Sequence, residues 1–349
     1  MTLMSCHDET TFNRRQLLVG AAATVLTAAG CATGGNDADV RRPPGVPVSN
    51  FDARSTAEDV TAGLDLTGRT ALVTGATSRL KLETLRVLAM RGAHVIATGR
   101  SRERAQDAIA SAGAAGRATP LAHDQADWAT VVAAAEEVRA LGRPLDVLVC
   151  NAGIMQPPEL ALVHGVERQF AVNHLGHFVL CHHLLDTVKA APQGRVVVVS
   201  SQLYLAAPAS GIDFDNLTGA KGYDAQVMYG QSKLANALFT FELARRLRDT
   251  PVTANTLHPG VANTNLDRFK PGWRRLAGRL ASLGRAYVKS TEAAAATQAY
   301  LATAPELARV TGQYFEDCNP VVPMGPHMGN RELAARLWAT SEELTESFL

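Results

Sequence analysis

The chain has 349 residues, 46% of them hydrophobic and 19% charged, with a formal net charge of +1. That length supports one large or two modest domains with a sizeable core. The near-neutral balance argues against a nucleic-acid partner, which needs a concentrated basic face, and 5% aromatics are too few to suggest stacking platforms, so small molecules are the expected partners.

The first 31 residues read as an export signal rather than as part of the fold. Arg14-Arg15 precede an apolar stretch, Leu17 to Gly30, that ends at Cys31. A spanning helix needs about 20 apolar residues, so the stretch is short for a membrane anchor; a basic pair before a short apolar run has the layout of an export signal. The pattern resembles the bacterial twin-arginine signal, which implies delivery of a folded protein to the periplasm or cell envelope. An accidental arginine pair before a small helix is the alternative, and would leave the protein cytoplasmic. Ala28-Ala29-Gly30-Cys31 resembles a lipoprotein processing site, although Ala28 stands where a larger aliphatic residue is usual; a lipid on Cys31 would give membrane anchoring. Residues 32–63, with Gly34-Gly35-Asn36-Asp37 and Pro43-Pro44-Gly45, read as a linker. Cys6, Cys31, Cys150, Cys181 and Cys318 show no C-x-x-C spacing, and those beyond the signal read as buried thiols.

From Thr70 onward, short apolar runs alternate with helical patterns. The expected strands are Thr70–Val73, His94–Thr98, Ala118–Ala122, Val147–Cys150, Arg195–Ser200 and Thr253–His258, with helices such as Asp127–Leu141 and Gly165–Lys189 between them. Such alternation predicts an α/β fold: a doubly wound parallel sheet of the Rossmann type. No composition break divides residues 64–349, so a single domain is expected.

The first strand runs into Thr74-Gly75-Ala76-Thr77-Ser78, and a helix should begin near Leu80. A strand–turn–helix of this kind presents free helix N–H groups to a pyrophosphate. The second strand ends in Thr98-Gly99-Arg100, without the Asp or Glu that would take ribose hydroxyls; Arg100 can pair with a 2′-phosphate instead, which favours NADP over NAD. A solvated arginine at a helix start is the alternative. Asp124 follows the third strand and could equally cap a helix. Further on, Tyr229 and Lys233 sit one helical turn apart. An ammonium group there favours the phenolate and lowers a pKa that starts near 10, so the tyrosine can exchange a proton near neutral pH. Ser200-Ser201 closes the fifth strand, and a hydroxyl there would bind the substrate oxygen. His174, His177, His182 and His183 have ligand-like spacing, but no Cys, Asp or Glu joins them, and structural or solvated histidines are the better account.

Taken together these motifs resemble the short-chain dehydrogenases, and specifically their retinol-dehydrogenase-like branch, from about Leu64 to Phe348. Asn173–His177, Tyr229–Asn236, His258–Val261 and Gly312-Gln313-Tyr314-Phe315 carry the resemblance. It implies hydride transfer between a nicotinamide dinucleotide and a carbonyl or alcohol substrate. In that scheme Tyr229 exchanges the proton, Lys233 binds ribose and tunes Tyr229, Ser201, the second serine of its pair, positions the oxygen, and Asn173 supports a proton relay. The implied cofactor contacts are Thr74, Gly75, Ser78, Arg79, Leu80, Arg100, Asp124, Asn151-Ala152-Gly153, Tyr229, Lys233, Pro259, Gly260 and Thr264. The chain departs from the family's T-G-x-x-x-G-x-G loop: Arg79 and Lys81 replace the second and third glycines. They either swing outward and add positive charge near the phosphates or obstruct the crevice. The second case leads to the rival reading, an exported non-catalytic binding or scaffold domain. A sugar-nucleotide epimerase can also share Y-x-x-x-K, but the distances among Gly75, Asn151 and Tyr229 suit the shorter layout. The long Ser201–Tyr229 separation suggests an inserted loop at Leu205–Gly222, and Asn265–Ser290 a substrate lid. Dimers or tetramers are common in this fold class, so a homo-oligomer is in view, although lipidation would favour a monomer.

Overall fold

The computed structural model describes residues 40–261 and 288–349; the export signal, Cys31 and Thr264 lie outside the described residues. Eight strands form the main sheet: β1 (Thr70–Val73), β2 (His94–Gly99), β3 (Ala118–Ala122), β4 (Val147–Cys150), β7 (Arg195–Val199), β8 (Thr253–His258), β9 (Tyr314–Glu316) and β10 (Asn319–Val321). A small separate hairpin, β5 (Leu162–Val163) and β6 (Val166–Glu167), lies between β4 and β7. The order across the sheet is β10-β9-β8-β7-β4-β1-β2-β3. All neighbours are parallel except β9 and β10. Successive strands run outward from β1 to β3 and then return to β4 on the other side of β1. That reversal opens a crevice at the carboxyl ends of β1 and β4, where ligands bind in sheets of this kind.

The strands form because Thr-Ala-Leu-Val, His-Val-Ile-Ala-Thr-Gly and Arg-Val-Val-Val-Val are branched apolar runs that tolerate burial on both faces. Alternate residues feed two cores. Leu72, Ile96, Leu148 and Val198 pack under α3 (Trp128–Ala140), α4 (Gly176–Lys189), α5 (Ala225–Arg246) and α7 (Arg331–Thr345). Val73, Val95, Val149 and Val197 face α1 (Arg79–Met90) and α6 (Thr291–Thr303) on the other side, while α2 (Arg102–Ser111) packs against the outer strands β2 and β3. Helix starts are fixed by side chains that accept otherwise unpaired N–H groups: Ser101 for α2, Asp224 for α5, Ser290 for α6 and Asn330 for α7.

Part of the stretch expected to be linker is fastened to the domain. The Arg41 carbonyl accepts from Val322 N–H at 2.7 Å. Ser49 N–H donates to Asn319 Oδ1 at 2.8 Å, and Asn319 Nδ2 donates to the Phe51 carbonyl at 2.8 Å. Phe51 also packs edge-on against Tyr300 of α6. Cys150, Cys181 and Cys318 are buried, the first two with sulfurs 3.7 Å apart. Among the described residues no helix is long and apolar enough to cross a membrane.

Candidate active site

Thr74, at the end of β1, acts from behind the crevice rather than within it. The residue is fully buried. Its hydroxyl oxygen accepts the N–H groups of Asn151 and Ala152, both at 2.8 Å, and lies 3.1 Å from His177 Nε2. The other ring nitrogen, Nδ1, is 2.9 Å from the Asn173 carbonyl, which can only accept. Nδ1 therefore carries the proton and Nε2 accepts from Thr74. Burial holds His177 neutral, with its pKa lowered to about 3. One threonine and one histidine thus tie the turn after β4 to the helix that carries Asn173.

Gly75 has φ +66°, and a Cβ there would stand 3.2 Å from Ala152 Cβ; glycine keeps the two turns in contact. Asn151 Nδ2 donates to Gln298 Oε1 at 2.7 Å. Gln298, from α6, also donates to Thr84 and to the Leu80 carbonyl, which places it between the turn and the first turns of α1. Leu80 itself is buried in the core. Ser78 is the residue before α1 but makes no side-chain cap, and the first turn holds no acidic residue, so its N–H end stays electropositive.

The two basic replacements go in different directions. Arg79 is exposed with φ 20°, so an arginine occupies the positive-φ position that glycine would fill more easily. Its side chain lines an outer hollow with Glu83, Arg86 and Glu292. Lys81 turns inward: its Cδ is 3.5 Å from the Cβ position of Gly75. At the far end of the crevice Arg100 is exposed. Asp124 is half-buried, and its carboxylate accepts from Ala126 N–H at 3.0 Å in a local turn.

The chemical end is assembled from four elements. Lys233, on α5, is buried and donates to the Val199 carbonyl at 2.9 Å. Its ammonium lies 5.8 Å from the Tyr229 ring centroid. Burial, reinforced by the charge of Lys81, lowers the Lys233 pKa to about 7. Gly153 leaves room for this group: a Cβ there would be 2.9 Å from Asn173 Oδ1 and 3.9 Å from Lys233 Nζ. Asn173 sits in a π-helical turn, Ala171–Leu175, a feature often found at functional positions. Its amide accepts from Ile154 N–H and donates to the Ile154 carbonyl and to Ser232 Oγ. Ser200 Oγ donates to the Lys233 carbonyl at 2.7 Å and so is spent on holding α5. Ser201 is half-buried, and its oxygen accepts from Leu203 N–H at 3.2 Å; its hydroxyl hydrogen remains to be donated elsewhere. Gly230 lets the segment after Ser201 lie on α5, since a Cβ would stand 2.7 Å from the backbones of Leu203, Ala206 and Ala207.

The chain matches the family profile for short chain dehydrogenase over residues 69–274. It belongs to that family. It is 38% identical to the short-chain dehydrogenase TIC 32 A, chloroplastic, of Brassica napus over 317 residues, covering 86% of this chain and 95% of the relative. Human retinol dehydrogenase 14 is 38% identical over 291 residues, covering 79% and 85%. Among solved structures, an uncharacterized protein from Mycobacterium Paratuberculosis aligns with TM-score 0.66 and 32% identity, covering 84% of this chain and 98% of the other. A short chain dehydrogenase from Burkholderia cenocepacia J2315 in complex with NADP aligns with TM-score 0.58 and 27% identity, covering 72% and 96%. The chain is thus a short-chain dehydrogenase/reductase, an oxidoreductase of small molecules.

Lys289, Gln298 and Glu316 were not singled out in the sequence. After β8, Pro259 leads into Gly260 (φ +84°), where a Cβ would meet the Lys289 side chain at 2.7 Å. Lys289 is buried, pairs with Asp317 and donates its N–H to the Val261 carbonyl at 2.9 Å. His258 is buried, 3.9 Å from Glu316. Burial holds His258 neutral, with its pKa lowered to about 4, and pushes the Glu316 carboxyl up to about 7. Gln298 carried a faint signal, as a long polar residue inside the alanine-rich run Ala293–Ala299. Lys289 carried none. Three of the four histidines have separate partners, His174 with Ser341, His183 with the Phe348 carbonyl and His177 with Thr74, while the His182 ring lies edge-on to that of His183. Among the described residues no group of three His, Cys, Asp or Glu side chains is placed to hold a metal.

Proposed function

We propose that this chain is an NADP-dependent reductase or dehydrogenase of a carbonyl or alcohol substrate, working through Tyr229, Lys233, Ser201 and Asn173. The observation that carries the reading is the buried ammonium of Lys233 beside the Tyr229 ring, at the carboxyl edge of the sheet and against Gly153. A dinucleotide fits the residues around it. Gly75 and Gly153 add no Cβ to the crevice, where one would stand 3.2 Å from Ala152 and 2.9 Å from Asn173, and the first turn of α1 carries no acidic residue. When bound, the cofactor supplies or takes the hydride at its nicotinamide ring.

The protein's share is orientation and proton management. Lys233 in its cationic form stabilises the Tyr229 phenolate, so the tyrosine can give a proton to a nascent alkoxide or take one from an alcohol. Ser201 donates to the same oxygen and stabilises charge developing there. Asn173, fixed on both sides to Ile154, holds the helix turn beside Lys233 in place. Arg100 follows β2 as an exposed arginine with no carboxylate at that strand's end; an arginine there can pair with a 2′-phosphate, which supports NADP over NAD. Pro259, Gly260 and Thr264 belong to the nicotinamide side in this reading, Asp124 to the adenine side. Arg14-Arg15 and the following apolar run support export, and Cys31 a lipid anchor; radiolabelled palmitate incorporation that survives Cys31→Ser would remove the anchor.

Fluorescence titration with NADPH and NADH, followed by turnover of Tyr229→Phe, tests the enzyme. NADPH should bind at least tenfold more tightly than NADH, and Tyr229→Phe should bind NADPH normally while losing turnover. No binding at millimolar cofactor with the protein folded would leave the scaffold reading standing; undiminished turnover in Tyr229→Phe would remove that residue from the chemistry.

A further inference from the structure

The turns that lead into the strands gather arginines at the edge of the sheet opposite the crevice. An open hollow of about 550 Å³ lies there. It runs across the amino ends of four neighbouring strands: Pro192 precedes β7, Arg143 and Asp146 precede β4, Arg69 precedes β1, and His94 begins β2. We propose that this hollow is an anion site that takes the phosphoryl group of a soluble small molecule, held by Arg143 and Arg69. It lies at the other end of β1 and β4 from Thr74 and Asn151, and it stands whether or not the crevice takes a dinucleotide.

The charge balance favours an anion. Among the described residues that line the hollow, Asp146 is the one carboxylate, and it is already spent. It is buried, its Oδ1 accepts from Arg69 Nη1 at 2.7 Å, and its Oδ2 accepts from Thr70 N–H at 2.8 Å. Arg69 is not exhausted by this pair. A guanidinium carries five N–H donors, and the Arg69 side chain is 44% exposed. Arg143 is exposed, and among the described residues no carboxylate pairs with it. Its charge reaches across the hollow: burial, reinforced by Arg143, disfavours the cationic form of His94. Behind Arg69 lies Arg195 at the start of β7, whose pKa is lowered to about 10 by burial and by the charge of Arg69, with Glu306 acting in the opposite sense. With Asp146 balanced by Arg69, Arg143 leaves the hollow net positive, and a concave site of one sign concentrates ligands of the other.

The backbone supplies the shape. Gly92, with φ +100°, forms part of the wall between Arg69 and His94, and a Cβ there would stand 2.8 Å from Thr67 Oγ1. The wall therefore stays low where a side chain would crowd it. The volume suits a molecule of metabolite size, and the two planar guanidinium groups match the paired oxygens of a phosphoryl group.

The test is thermal unfolding of the full chain in inorganic phosphate and in sodium chloride of equal ionic strength, for the wild type, Arg143→Gln, Arg143→Glu and Arg331→Gln. Arg331 is an exposed arginine outside the hollow, at the start of α7. Binding to the folded state alone raises Tm by mass action, by roughly 3 °C at ten times the dissociation constant. In chloride, Arg143→Gln should melt within about 1 °C of the wild type, since it breaks no bond. In phosphate it should forfeit at least about 2 °C of the wild-type rise, and Arg143→Glu, which reverses the charge, at least as much. Arg331→Gln should keep the whole rise. A rise that survives both Arg143 variants, whether it arises in the crevice or from salt, would overturn the proposal, as would no rise in the wild type or equal loss in Arg331→Gln. Sedimentation of the wild type, but not of Arg143→Gln, with phosphatidylglycerol vesicles would assign the arginines to a membrane headgroup and overturn the soluble ligand.

Discussion

Replacing Thr74 by valine keeps the shape of the side chain and removes only its hydroxyl. Three groups then lose a partner, two of them buried. The Asn151 and Ala152 N–H groups each lose an acceptor at 2.8 Å, and His177 Nε2 loses its donor at 3.1 Å. Leaving a buried polar group unpaired costs about 1–3 kcal/mol. Ala152 is half-buried and can recover part of its loss from water, so the net expectation is about 3–5 kcal/mol. The methyl that replaces the hydroxyl fills the same space in β1, so no cavity contributes. Urea denaturation monitored by tryptophan fluorescence gives the number, with Thr74→Ser, which keeps the hydroxyl, expected within about 1 kcal/mol of wild type. Because the turn anchored by Thr74 borders the crevice, Thr74→Val should also weaken NADPH binding. A Thr74→Val protein within 1 kcal/mol of wild type, at an unchanged denaturant slope, would refute this account of the turn.

Gly230→Ala puts a Cβ 2.7 Å from backbone atoms that cannot yield easily. It should cost about 1–3 kcal/mol and, by displacing Ser201 from Tyr229, lower turnover about a hundredfold while NADPH affinity changes little; steady-state kinetics beside a cofactor titration would expose an undisturbed site. Acid should unfold the protein early. His123, His174, His177 and His258 are buried and neutral, with pKa values lowered to about 4, 3, 3 and 4, so the unfolded chain takes up their protons first as pH falls below about 6.5. Each contributes stability that is complete above that pH and is lost at about 1.4 kcal/mol per unit below it. Glu316, its pKa raised to about 7, has the opposite slope down to its ordinary range and offsets about one of the four. Four such groups amount to several kcal/mol per unit, comparable with a domain's whole stability, and thermal melts at pH 7, 6 and 5 should show a steep fall; a Tm constant to within 3 °C contradicts it. Lys233 loses its proton as pH rises through about 7 in the free protein, so NADPH affinity should fall between pH 6.5 and 8.5, and a flat titration would remove Lys233 from cofactor binding.

The strands were legible because β1, β2, β4, β7 and β8 are branched apolar runs bounded by glycine, serine or polar turns. Observed limits match the expected ones within a residue. The strands β9 and β10 were not, since three residues each, one of them Pro320, carry no periodicity to read. Arg41–Phe51 looked like free chain because its Gly, Pro and polar residues cannot build a core; its contacts are hydrogen bonds to partners some 270 residues away, which no local pattern records. At the site, Tyr229, Lys233 and Asn173 were found by spacing and motif. The use made of Thr74 was not: its place in the loop pointed to the ligand, while its hydroxyl faces the protein. The paired fates of Arg79 and Lys81 turn on backbone angle and side-chain direction, and these belong to the fold rather than to the local sequence.

The seam between Arg41–Phe51 and the Cys318–Val322 stretch has a kinetic consequence. Residues near the start of the described domain are held by residues some 270 positions later, so a growing chain cannot close this edge until Cys318–Val322 has been made. Contacts of such sequence separation form late and slow folding. Closure of this edge is therefore a late event, with Arg41–Phe51 drawn against the sheet only after Cys318–Val322 has been made.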